Sequence, residues 1–198
     1  MKKIFGLGLL ALGLTVMLSG CGKLPQADID AATAAVDSAK MAGADVYLAE
    51  EFAAIQDSLN SAMEKIEQQK SKMLKNFAEP VKQLQEVKAL AAEAAQKAVA
   101  VKEQVKLEVQ TALAEVTALI AENKDLITKA PKGKEGKAAL EAMQSEITVI
   151  ETTVTEATSL FDSGDYMTAK EKIMAAKEKA VSINTELKDA IDKYKGKK

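Results

Sequence analysis

Cys21 is the only residue of this chain built for sulfur nucleophilic chemistry, and it stands directly after Leu18-Ser19-Gly20 at the end of an apolar run. Ahead of that run, Lys2 and Lys3 would hold the amino end on the cytoplasmic side of a membrane. Ile4 to Leu18 is long enough to enter a translocon but falls short of the roughly 20 apolar residues of a stable span. Ser19 and Gly20 are small enough for a processing enzyme to reach the backbone, so cleavage is expected between Gly20 and Cys21. The Cys21 thiol can carry diacylglycerol, and cleavage would free its amino group for an N-acyl chain such as palmitate. Beyond that covalent lipid, no cofactor is expected. The rival reading makes Cys21 an ordinary small apolar residue closing a secretory signal or a membrane anchor. Charge, apolar length, small residues and a lone cysteine all agree better with acylation. Two or three acyl chains hold far more firmly than one, so the mature protein is expected to stay on the membrane through its lipid.

Other chemistries are bounded by what the chain lacks. It contains no histidine, which excludes a Ser/His/Asp triad, a histidine general base, a zinc-protease helix and a Glu-x-x-His di-iron bundle. Carboxylates are plentiful, but they lie among lysines, as Glu171 does beside Lys170, Lys172 and Lys177. That pattern reads as surface ion pairing rather than a paired acid and base. Gly133-Lys134-Glu135-Gly136-Lys137-Ala138 has the wrong spacing for a phosphate loop, with Ala138 where a hydroxyl is required and no strand before it. An enzyme is not expected, nor a metal, nor a small-molecule substrate. The 27 basic residues are all lysine, which removes the bidentate fork used on phosphates and guanine edges, so no nucleic-acid partner is expected. Net charge is −2, and losing Lys2 and Lys3 would take it to −4.

Together, Lys2, Lys3, the apolar run and Leu18-Ser19-Gly20-Cys21 resemble the bacterial lipobox. The resemblance implies a lipoprotein signal peptide over 1–20, lipidation at Cys21 and a place in the cell envelope. Gly22 lacks the Asp that resembles an inner-membrane retention signal in enteric bacteria. The outer membrane, facing the periplasm, is therefore the favoured address. With Cys21 acylated no disulfide can form within the chain, although the periplasm would permit one.

The elements that must carry this anchor are helices. Aromatic residues are 4% of the chain, tryptophan is absent and much of the hydrophobic share is alanine, so thin helix pairs fit better than a thick core. Residues 21–27 read as a lipidated tether. Over 28–129 the three-four spacing predicts about three helices. The first stripe is Ile29, Ala32, Val36 and Ala39, ended by Gly43, with Asp45 as the next cap. The second runs from Leu48, Phe52 and Ile55 to Met73. At Asn76-Phe77-Ala78-Glu79-Pro80 the spacing predicts a turn with a capping box, Glu79 reaching back to Asn76. The third stripe runs unbroken by glycine or proline through Leu84, Val87, Ala91, Ala98 and Val105 to Leu119, and a helix of that length makes the body a rod. Residues 130–137 combine Pro131, Gly133, Gly136 and lysines and read as a hinge. Residues 138–198 read as a helical hairpin, with Ile147 and Ile150 on one side of Asp162-Ser163-Gly164-Asp165, Ile173 through Tyr194 on the other, and a basic tail. The fold class is all-α: elongated antiparallel helical hairpins forming a coiled-coil-like bundle of about five helices.

Asp165-Tyr166 matches Asn76-Phe77 as a cap followed by an aromatic plug, and Gly43-Ala44-Asp45-Val46-Tyr47 is a looser copy. These turns are similar to those of tetratricopeptide-like hairpins, but the Trp of that signature is missing and the helices are longer. The lipobox and the run Ala31 to Leu59, with Gly43-Ala44 and Tyr47 between Ala-rich helices, resemble a group of uncharacterised alanine-rich bacterial envelope lipoproteins known as a domain of unknown function. That resemblance implies an envelope location and an all-helical form, and supplies no catalytic residues. The tail Lys195, Lys197 and Lys198 would fray if it is a plain terminus. If the rod places it at the cell wall, its amines face anionic groups and carboxyl donors; a carboxy-terminal lysine after a helical rod resembles the major wall-linked lipoprotein of enteric bacteria, although the Arg of that tail is missing here and this body is far longer. The expected function is a non-enzymatic, membrane-anchored interaction rod with envelope-protein partners and peptidoglycan as a further contact. The alternative is a periplasmic chaperone-like module that clasps a client on an uncovered apolar stripe.

Overall fold

The computed structural model describes residues 22–131 and 133–196, with only the backbone of Lys134 and Glu135. It is 88% helical with no strand among the described residues, as the all-α reading requires. Among the described residues six helices occur: α1 (Gln26–Met41), α2 (Ala44–Tyr47), α3 (Ala49–Lys70), α4 (Ala78–Lys129), α5 (Lys134–Ser163) and α6 (Tyr166–Lys195). Five are long, and α2 is one extra turn inside the first bend.

Each break has a local cause. Gly43 takes a left-handed φ of 90° that a side chain resists, and its N–H closes α1 onto the Lys40 carbonyl. Asp45 lies inside α2 rather than capping it, because the left-handed glycine already starts that turn. The expected capping box at α4 does not form. Asn76 Oδ1 instead accepts the Ala78 N–H at 3.0 Å, while Glu79 extends to Lys65 Nζ at 2.5 Å. Pro80 sits in the first turn of α4, where a missing N–H costs nothing, so this is a true turn and not a kink. Met73 leaves its expected stripe because α3 has already ended at Lys70. Further on, α5 begins at Lys134, so the latter part of the Pro/Gly/Lys segment is helical.

Direction follows from the ion pairs. Glu51 meets Lys97 and Lys65 meets Glu79, so α3 runs antiparallel to α4. Glu108 meets Lys170 and Glu115 meets Lys177, both 62 residues apart, so α6 runs parallel to α4. Lys172 and Glu156 join α6 to the antiparallel α5. The 52 residues of α4 extend about 78 Å at 1.5 Å per residue, and every other helix packs along this spine. One core joins α1 and α3 to the first half of α4, from Ile29 to Ala98. The other joins α5 and α6 to the second half, from Val105 to Ile191. The stripes meet the sequence expectation at Ile29, Phe52, Leu84, Ile147 and Ile173, all buried. Toward the C-terminus the α6 seam has turned, so Ile191 is buried and Tyr194, the expected finish of the stripe, is half exposed.

Candidate functional site

The expected site residues lie at the two extremes of the chain. Gly20 and Cys21 fall outside the described residues, as do Lys197 and Lys198. Described chain begins at Gly22, four residues before α1. At the opposite terminus Lys195 is the last residue of α6, its ammonium 3.9 Å from Asp192, and the Gly196 N–H closes onto the Asp192 carbonyl at 3.0 Å. Tail residues as far as Lys195 are helical. The short 42–48 bend folds α1 back along α3, so α1 is antiparallel to α3 and parallel to α4. With α6 parallel to α4 as well, the start of α1 and the finish of α6 occupy opposite ends of the rod.

Middle and far segments hold two arrangements that the sequence reading missed. Where the halves meet, Tyr47 of α2 packs on the C-terminal core beside the α5–α6 bend. Phe161 and Tyr166 rings lie 5.1 Å apart, and the Lys102 ammonium sits 6.0 Å above the Tyr166 ring. Burial raises the Tyr47 phenol above its ordinary value, with Tyr166, Asp165 and Glu103 adding to the shift. The signal was present, since both residues were noted as aromatic plugs of look-alike turns. What the sequence could not supply was that the two turns abut.

Farther along, Asn123 is fully buried on the α4 seam. Its amide donates to the Ala180 carbonyl at 2.8 Å, and Asn184 donates to its Oδ1 at 2.8 Å. An asparagine seven residues after Val116 was the available signal, and it lay past the last residue assigned to the stripe.

Carboxylates pair with lysines both locally, as Glu93 with Lys97 and Asp125 with Lys129 do, and across helices. Lys170, Lys172 and Lys177, expected around Glu171, reach Glu108, Glu156 and Glu115 instead. The Lys170 ammonium, helped by Gln104, holds the Glu108 carboxyl below its usual range. Lys188 does the same for Glu122. Hydrogen bonds to Glu93 and Glu51 raise Lys97. No group of three metal-capable side chains occurs among the described residues. One concavity on α3 near Asn60 and Glu64 and another between α1 and α3 near Thr33 and Asp57 are open grooves. No described helix is long and apolar enough to cross a membrane.

Exposed large apolar side chains on the helices are scattered, as Leu107 and Val149 are. At the α3–α4 bend, however, Met73 and Leu74 stand side by side, 100% and 88% exposed. Comparison with protein-family models, curated proteins and solved structures returned no match to this chain.

Proposed function

We propose that this chain is a lipid-anchored spacer of the bacterial envelope, held to a membrane through acylated Cys21 and presenting its C-terminal lysines about 78 Å away. One observation carries the reading: the first described residues and the last described helix turn lie at opposite ends of the single continuous α4. A lipid at one end and amines at the other suit a bridge from the outer membrane to envelope proteins or peptidoglycan. The work is mechanical and non-enzymatic, in keeping with the resemblance to alanine-rich envelope lipoproteins. The spacer reading is favoured over a client clasp because the apolar stripes of all five long helices pack inward against neighbours.

Two measurements test the ends separately. Cys21→Ala should abolish fatty-acid labelling and detergent partitioning, and unchanged labelling would refute the anchor. Deleting 195–198 should lower recovery with purified peptidoglycan. Loss only after boiling in detergent would indicate a covalent link through a lysine amine, and unchanged recovery with and without boiling would remove the wall contact.

A further inference from the structure

The α3–α4 bend lies at the anchored end of the rod. In the groove between α1 and α3, Thr33, Val36 and Asp37 face Gln56, Asp57, Leu59 and Asn60. These helices are antiparallel, so stepping about 15 Å back from Val36 reaches Gln26 while the same step forward from Leu59 reaches Gln69. The first turn of α1 is therefore level with the last turn of α3, and the bend at 71–77 projects beyond both. Four residues, Gly22 to Pro25, separate Cys21 from α1, a reach of at most about 14 Å.

That bend is held in shape while exposing apolar side chains. Phe77 is buried at its base, Gln69 Oε1 accepts the Asn76 N–H at 3.3 Å, and Asn76 caps Ala78. Met73 and Leu74 nonetheless touch little of the protein, and Leu24 on the tether is 40% exposed. Within the bend the only charges are Lys72 and Lys75. On the flanking helices Glu67 and Glu79 are taken by Lys70 and Lys65, while Asp28 in the first turn of α1 and Asp30, which accepts from Gln26, keep their charge. Lys23, Lys72 and Lys75 form no ion pair among the described residues. Adjacent apolar side chains rimmed by unpaired lysines match the interfacial region of an anionic bilayer.

We infer that the α3–α4 bend is a second membrane contact: Met73 and Leu74 enter the interface of the bilayer carrying the Cys21 lipid, and Lys72 and Lys75 meet its anionic headgroups. The inference rests on the anchored reading above. One flexible tether would let the rod swing, whereas tether and bend together set it upright.

The experiment exploits the absence of tryptophan from the chain. Both cores lie between Ile29 and Ile191, so the body from Cys21 onward contains the whole packed fold. This body is coupled through the Cys21 thiol to maleimide-headgroup lipid in vesicles of phosphatidylglycerol and phosphatidylcholine with brominated acyl chains. Leu74→Trp fluorescence should be quenched at least about fivefold more than that of Leu107→Trp, which lies about 44 Å along α4. Lys72→Glu with Lys75→Glu should reduce the Leu74→Trp quenching severalfold. Leu74→Trp left unquenched would overturn the contact, and equal quenching at 74 and 107 would mean a rod lying flat, which overturns it too. Indifference to the lysine swap would remove the headgroup recognition. Since the coupling is chemical, the result is independent of whether cells acylate Cys21, which Cys21→Ala labelling decides.

Discussion

Asn123 and Asn184 share one amide hydrogen bond inside an otherwise apolar seam, and no buried side-chain polar atom of the described residues lacks a partner. Removing Asn123 takes that acceptor from Asn184 and the donor from the Ala180 carbonyl. Asn123→Ala should therefore cost about 2–4 kcal/mol in urea unfolding, through the lost hydrogen bonds and the cavity. Replacing both with leucine should recover most of that loss. A double variant no more stable than the single would show that the amides are not what makes the position costly. Glycine positions offer a second comparison. Gly43 and Gly164 both hold left-handed φ values, 90° and 88°, but a Cβ at Gly43 would lie 3.0 Å from the Tyr47 ring while Gly164 has open space. Each alanine variant bears about 1–2 kcal/mol of backbone strain. Gly43→Ala should lose about 1 kcal/mol more, because the Tyr47 ring must shift by a few tenths of an ångström where it packs. Equal melting temperatures would mean the ring yields freely. Turn glycines were legible from type and position alone. The amide pair was not, because nothing in one helix marks which seam residue will find its like in another.

Helices were legible where the three-four spacing is unbroken, from Ile29 through Ile183, because packing against any neighbour selects the same face. The antiparallel hairpins were legible too, because short bends leave no other course. What was not legible is the contact of α6 with α4, parallel after two reversals, along which Glu108, Glu115 and Glu122 meet Lys170, Lys177 and Lys188. Those carboxylates recur every seven residues along α4 and mark one edge of the seam. Since Lys170 and Lys188 hold Glu108 and Glu122 below the ordinary value of 4.5, their contribution is full above that value. It is lost as pH falls through the lowered folded values. Melting temperature should therefore drop as pH falls below about 4.5, and Lys170→Gln should flatten that drop by no more than about 2 °C, since the pairs are exposed. An unchanged slope in the variant would assign the acid sensitivity to other carboxylates. Cap chemistry was legible at Asp165, whose side chain accepts the Thr168 N–H at 3.2 Å. It misled at Glu79, because a lysine on α3 competes for that carboxylate.

At the scale of the molecule, rod shape followed from one long uninterrupted stripe, while the end-to-end seating of two hairpins on it did not. That seating brings the α1–α3 bend against the α5–α6 bend, a contact between residues far apart in sequence and set by the summed lengths of several helices. Parallel docking of α6 on α4 also decides how the molecule bears tension. Pulling Gly22 away from Gly196 slides α1 and α6 along the spine, so all of their seam contacts and cross-helix ion pairs resist together in shear. Pulling Lys129 away from Gly196, both at the same end, peels α6 off one turn at a time. Optical-tweezers unfolding should need clearly more force with the first pair of handles than with the second, and equal forces would deny α4 its place as the load path. Strung between a lipid and a wall as proposed, the protein would then be strongest along the direction in which a swelling cell strains it.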